Sequence, residues 1–370
     1  MKVQPKQLRE IAVHILKGFS AMEDEATLVA DCLVQAEMRG IDTHGVHFLQ
    51  LLSDRIDARL IRIPTELKIV REDGTTSILD GGNGLGQVAA HRAMKMSIQK
   101  ARELGVGLTL IRNTNHIGIL AFYTLMAAEE GMVGIVMSNS APSMSPWGGA
   151  EPFLGTNPLS FAVPGGKEGP VVLDMSSSVV ARGKIRRAER MKEAIPPGWA
   201  LDESGLPTTD PAAAMKGTLL PIGGPKGYGL ALMIDVIAGM LSGSNYGPNV
   251  KTFHKPSGPT GIGVFTMAVD IERFMALNQF KQLMESYVES IKQSEKAKGV
   301  SRIYLPGEIE LEKEKKSLAE GIPLNDSVVS SLNQLLEKVR SPLRLPLKCH
   351  SGESRNPEGF DNTGLPLSRE

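Results

Sequence analysis

The chain has 370 residues, 41 basic against 41 acidic side chains and 41% hydrophobic content, a composition that suits a globular protein of two or three domains and excludes wholesale disorder. Balanced charge gives no positive field to hold a polyanion, so nucleic acid is not an expected partner. Two cysteines, Cys32 and Cys349, make neither a disulfide framework nor a zinc knuckle, which points to a reducing cytoplasm.

In chain order, residues 1–7 lead into a charged amphipathic helix with no apolar export region. Residues 5–38 read as two helices broken near Phe19-Ser20-Ala21-Met22, the second with Ala26, Val29, Ala30, Leu33 and Ala36 at helical spacing. From 67 to 166, β-rich runs (67–70, 76–79, 107–111, 132–137) alternate with helical ones (88–104, 120–130), the pattern of an α/β core. Residues 170–175 read as a buried strand, and 188–213 as a region dominated by turns. Residues 227–244 approach the composition of a membrane span, but Asp235 in their middle and the glycines among them favour a helix buried between layers. A strand at 262–269, a helix at 271–296 and a last helix at 325–340 follow. The polar, Pro- and Gly-rich residues 345–370 are expected to be disordered.

Five segments carry candidate chemistry. Gly84-Leu85-Gly86-Gln87-Val88-Ala89, between a strand and a helix, matches a dinucleotide-binding fingerprint, though the next strand ends at Arg112-Asn113 without the acidic residue expected to bind the ribose, and a plain glycine-rich turn is the alternative. Asp42-Thr43-His44-Gly45 places a histidine on a loop between glycines, or else marks a helix end at Gly40 with His44 packed locally. Asn113-Thr114-Asn115-His116-Ile117-Gly118 puts a histidine at a strand end, where α/β folds bind substrates; the alternative is a buried ring satisfied by its asparagines. Ser145-Pro146-Trp147-Gly148-Gly149 with Gly155-Thr156-Asn157-Pro158 builds rigid loops rich in backbone donors. In Gly223-Gly224-Pro225-Lys226-Gly227-Tyr228-Gly229 a lysine at a helix start suits a phosphate, without Walker spacing. No metal-ligand spacing and no serine nucleophile elbow is present. Two loop histidines, anion-friendly turns and one lysine fit hydride transfer with a dinucleotide better than hydrolysis.

Taken together and in order, Asp42-Thr43-His44-Gly45-Val46, Asn113-Thr114-Asn115-His116-Ile117-Gly118, Pro146-Trp147-Gly148-Gly149, Gly155-Thr156-Asn157-Pro158, Val172-Leu173-Asp174-Met175 and Gly224-Pro225-Lys226-Gly227-Tyr228-Gly229 resemble the malate/L-lactate dehydrogenase family, which also includes ureidoglycolate and sulfolactate dehydrogenases and diketogulonate reductases. The resemblance runs over about residues 5–340. It implies a non-Rossmann, sulfolactate-dehydrogenase-like α/β fold with mixed sheets, in which the Gly84 fingerprint is a decoy. It also implies a cytoplasmic homodimer using NAD or NADP on a small 2-hydroxy or 2-oxo acid of malate or lactate type, with no metal and no membrane. By the same resemblance, cofactor contacts fall to Ser140, to Asp174, Met175 and Ser176, to Lys226 and Gly227, and to Pro306, Gly307 and Glu308. Catalysis falls to His116, expected to take the hydroxyl proton, and to His44, expected to hold the substrate oxygen or carboxylate.

The family often has an arginine four residues after the first histidine. Here that place is Phe48, and His47, Arg55 or Arg182 are the possible substitutes. A cyclic imino-acid reductase and a cofactor-binding protein without turnover are the alternatives. The expected organisation is a helical unit at 1–66, an α/β substrate and dimerisation region at 67–166, a cofactor region at 167–310, a helical segment at 311–344 and the tail.

Overall fold

Leu8, Ile11, Ala12, Ile15 and Leu16 repeat at helical spacing and form the buried stripe of the helix Pro5–Gly18, with Pro5 in its first turn. The structure, a computed structural model, describes residues 1–346. The second helix, Glu23–Met38, carries three acids in its first turn, where they complement the helix dipole. Both pack with Phe48–Asp57 and Asp326–Lys338 around one apolar cluster that joins Leu8, Val29 and Leu49 to Leu332 and Leu336. Leu345 belongs to this cluster and exchanges hydrogen bonds with the Asn333 amide at 2.8 and 2.9 Å, so the expected disorder does not begin at 345. The rest of that expected tail, from 347 onward, lies outside the described residues.

The main sheet has seven strands, in spatial order Lys68–Asp73, Thr76–Asp80, Val106–Thr114, Ile262–Asp270, Met132–Ser138, Leu159–Val163 and Val171–Met175. Only Thr76–Asp80 and Val106–Thr114 run parallel, joined by the crossover helix Gly86–Leu104; every other neighbouring pair is antiparallel. The sheet is therefore mixed, and a doubly wound parallel sheet is excluded. The edge strand Val171–Met175, expected to be buried, has only Val172 fully covered.

Alternation along the strands divides the sheet into two apolar faces. Leu79, Ile111, Val136, Val264 and Ala268 lie under Gly86–Leu104 and Ala121–Glu129. The opposite face carries Leu108, Leu110, Ile135, Met137, Phe161, Phe265 and Met267, and meets Ile234 and Ala238 of the apolar helix.

That helix is not sandwiched between layers as the sequence suggests. Its Leu232, Met233, Met240 and Leu241 are exposed, Leu241 by 63%, because no described segment packs on their side. It runs as an α-helix over Pro225–Ile234 and widens over Asp235–Met240, where the Leu241 N–H reaches the Val236 carbonyl. Asp235 is buried and accepts hydrogen bonds from the Asn139 amide and the Gly247 N–H at 2.9 and 2.8 Å, which accounts for a carboxylate in an apolar run. No helix among the described residues is long and apolar enough to cross a membrane.

The turn-rich region also differs from its reading. It contains the end of the helix Arg182–Met191, the start of a helix Pro211–Lys216 capped by the Asp210 carboxylate, and the strands Ala200–Leu201 and Pro207–Thr208, which form a small sheet with Thr218–Leu219 beyond it. The helix expected at 271–296 is shorter, a turn at Ile271–Arg273 followed by Leu277–Gln293.

Candidate active site

His44 lies on a single turn, Asp42–His44, just beyond the end of the second helix. Glu37, on that helix, accepts the Val46 N–H at 2.9 Å, and a Cβ at Gly45 would sit 2.0 Å from the Glu37 carboxylate, so glycine there lets the loop fold down. Burial raises the Glu37 carboxyl to about 7. His116 follows the strand Val106–Thr114.

These two loops bring the rings of His44 and His116 to 5.3 Å between centroids, stacked at 30°. Phe48, the first residue of its helix, stacks on His116 at 4.3 Å and is itself flanked by His47, Phe253 and His254. The asparagines beside His116 direct their hydrogen bonds away from its ring. Asn115 donates to the carbonyls of Asn83 and Gly84 at 3.1 and 2.8 Å, and Asn113 donates to Asp80 at 3.0 Å.

The Gly84 fingerprint is thereby explained. A Cβ at Gly86 would lie 2.4 Å from the carbonyl oxygens of Asn115 and His116, and one at Gly84 would lie 2.3 Å from the Thr65 methyl. The glycines serve close packing of two loops, and the turn supports the histidine.

Both histidines are neutral near pH 7. Burial, helped by His47 and His254 and opposed by Asp42, lowers His44 to about 4. Burial first, then His44, His254 and His47, hold His116 well below its ordinary value. The Gly118 N–H donates to His116 Nδ1 at 3.1 Å, so the neutral ring carries its proton on Nε2. His44 Nδ1 faces the Thr43 hydroxyl at 3.0 Å, a group that can donate or accept.

From His116 the chain continues to the helix Ala121–Glu129, whose first N–H donates to the Asp174 carboxylate at 2.7 Å. Burial raises Asp174 to about 6 against that bond, a second from Leu120 and the charge of Arg39. Met175 and Ser176 follow at the strand end. Ser177 binds the Thr156 carbonyl, and the Ile222 N–H donates to the Ser177 carbonyl at 2.9 Å, which ties this segment to the turn leading to Lys226. Asn157 accepts the Ser140 N–H at 3.0 Å. Ser140, Asp174, Met175, Ser176, Lys226 and Gly227 thus share one hydrogen-bonded neighbourhood.

Pro306, Gly307 and Glu308 lie against the other end of the same edge strand. The Val172 N–H donates to the Pro306 carbonyl at 3.1 Å, and a Cβ at Gly307 would come 2.8 Å from the Val172 carbonyl. Glu308 is held by Lys292, Arg302 and the Leu305 N–H. A groove of about 120 Å³ opens beside Pro306 and Glu308, bordered by Gly169, Pro170, Glu285 and Leu311; neither histidine lines it.

Of the possible substitutes for an arginine at Phe48, Arg55 is committed. It is 1% exposed, donates to the carbonyls of Thr252, Lys255 and Gly258 and lies over the Phe253 ring. Arg182 is half-buried, with Nη2 on the Met215 carbonyl at 2.6 Å. Sequence reasoning missed Phe253, His254 and Arg186, and it quoted Thr43 without giving it a role. Phe253, His254 and Arg186 stand in no recognisable motif, and only the chain's return at 252–254 brings the aromatic pair to His116.

A neutral histidine pair on an α/β scaffold beside anion-friendly turns is the equipment of an oxidoreductase that moves a proton with a hydride. Residues 3–333 match the model of the malate/L-lactate dehydrogenase family. The chain is 40% identical to a malate dehydrogenase of Pyrococcus abyssi over 92% of its own length and 95% of the relative's. Among solved structures, the sulfolactate dehydrogenase of Methanocaldococcus jannaschii superposes with a TM-score of 0.87 at 37% identity, covering 92% of this chain and 98% of that one. A malate dehydrogenase of Entamoeba histolytica superposes with a TM-score of 0.90 at 32% identity, covering 93% and 99%. The chain belongs to the malate/L-lactate dehydrogenase family and is an oxidoreductase acting on a hydroxy acid.

Proposed function

We propose that the chain oxidises a small 2-hydroxy acid of malate or lactate type, or reduces the matching 2-oxo acid, with NAD or NADP. The stacked pair of neutral imidazoles, His44 and His116, carries this reading. The residues around it suit such a cofactor: Ser140 and Ser176 offer hydroxyl donors on one hydrogen-bonded framework, and Lys226 adds an ammonium at the start of the helix that follows it. When bound, the nicotinamide supplies the hydride acceptor.

The hydrogen bonds of the two rings favour a division of labour opposite to the one expected from the sequence. A backbone N–H can only donate, so adding a proton to His116 would set Nδ1–H against the Gly118 N–H. His116 therefore holds the substrate oxygen through Nε2–H. His44 takes the hydroxyl proton on Nε2 while its Nδ1–H turns to the Thr43 hydroxyl, which accepts it. Phe48, Phe253 and the surrounding histidines keep water from the reacting carbon.

The second apolar sheet face supports a homodimer. Leu108, Ile135, Met137, Phe161 and Met267 are only partly buried there, and Leu232, Met233, Met240 and Leu241 extend the patch. In this reading residues 67–166 bear the substrate and dimer contacts, residues 167–310 bear the cofactor, and the protein works in the cytoplasm. Titration of purified protein with malate, lactate and sulfolactate, each with NAD and with NADP, tests the activity. Reduction of either cofactor by at least one acid is expected, and cofactor binding without any reduction would refute it.

A further inference from the structure

The first turn of the helix Arg182–Met191 meets Thr43, the neighbour of the first histidine. A Cβ at Gly183 would lie 3.0 Å from the Thr43 methyl, so its first turn rests on the residue that positions His44. Arg182 and Arg186 are four residues apart on this helix and project from one face, about 6 Å apart along the axis. Neither lies within ion-pair distance of a carboxylate among the described residues. Arg182 uses one donor on the Met215 carbonyl and keeps the rest of its fork.

Their charges reach the site. Beyond burial, Arg186 and Arg182 both lower His254, Arg186 lowers His47 and Arg186 lowers Arg182. Asp42 is the nearby carboxylate, and it acts on His44 and His47. Two guanidiniums that repel each other beside a set of uncharged imidazoles form a place where an anion relieves repulsion. Phe48, stacked on His116, offers no charge, and Arg55 is fixed elsewhere.

We propose that Arg182 and Arg186 form the acid clamp of the substrate: Arg182 takes the carboxylate beside the reacting carbon and Arg186 takes a second acidic group. The substrate class is then a 2-hydroxy acid with a second carboxylate or sulfonate, in preference to a monoacid. This inference rests on the dehydrogenase reading, and its test separates the two.

The experiment compares wild type, Arg186→Gln, Arg186→Lys and Arg182→Gln, with oxaloacetate and pyruvate as substrates and malonate as a diacid that undergoes no hydride transfer. Arg186 is exposed on its helix, so its replacements leave the fold in place. Arg186→Gln is expected to raise KM for oxaloacetate about 10- to 100-fold more than KM for pyruvate, and to weaken malonate binding in calorimetry similarly. Arg186→Lys should recover part of both, and Arg182→Gln should weaken both substrates. Equal effects of Arg186→Gln on the two substrates, unchanged malonate binding, or a wild type that prefers pyruvate would overturn the clamp. Malonate binding that depends on Arg186, in a wild type that reduces no 2-oxo acid, would keep the clamp and remove the dehydrogenase reading.

Discussion

Gly86→Ala separates the two meanings of the glycine-rich turn. The added Cβ would stand 2.4 Å from the carbonyl oxygens of Asn115 and His116, whereas ordinary contact begins at 3.4 Å, so the histidine loop must retreat by about 1 Å. Overpacking of this kind costs about 1–3 kcal/mol, and a displacement of about 1 Å at a reacting group costs up to about 100-fold in rate. Stopped-flow or steady-state kcat, a thermal melt and cofactor titration on the same preparation give the answer. The expected result is a melting point lower by several degrees and kcat reduced 10- to 100-fold, with cofactor affinity within about twofold of wild type. Loss of cofactor affinity with kcat intact at saturation would show that the turn cradles the dinucleotide and would refute the packing argument.

His116→Ala, which removes the donor to the substrate oxygen, should lower kcat by about 10²–10³-fold while cofactor affinity persists; full turnover in this variant would strip the residue of its role. Arg55→Met should destabilise the fold by about 3 kcal/mol in urea denaturation, because three carbonyls lose their donor, while KM for the substrate acid stays put. Ile135→Glu, on the open sheet face, should convert a dimer to monomers in light scattering, and an unchanged mass would argue against that face as the interface. His44 and His91, both lowered to about 4 by burial, bind fewer protons folded than unfolded. Their contribution to stability is therefore complete above about pH 6.5 and declines as pH falls toward 4, which urea midpoints across that range would register; a flat profile would contradict the burial.

The helices and strands around the site were legible because their periodicity is strong: Leu8 to Leu16 for a helix, Met132 to Ser138 for a strand buried on alternate residues. His44 and His116 were legible as residues, since glycines and strand ends mark loops. Their 5.3 Å stacking was not, because it depends on a contact between segments about seventy residues apart. The exposed side of the apolar helix was misread for a related reason. Composition reports that a segment avoids water, and whether its own chain or another surface covers it is decided by tertiary contacts. Gly84 and Gly86 show the same limit, since a glycine pattern records close backbone approach without naming the group that approaches.

Hydride transfer at the histidine pair is the step on which the proposed activity depends. Nicotinamide absorbance, followed as wild type, His116→Ala and His44→Ala meet malate, lactate or sulfolactate with NAD or NADP, should rise for wild type and fail for both variants, each of which still binds cofactor. Wild-type protein that binds the cofactor and reduces it with none of these acids, or turnover that survives loss of both histidines, would contradict it.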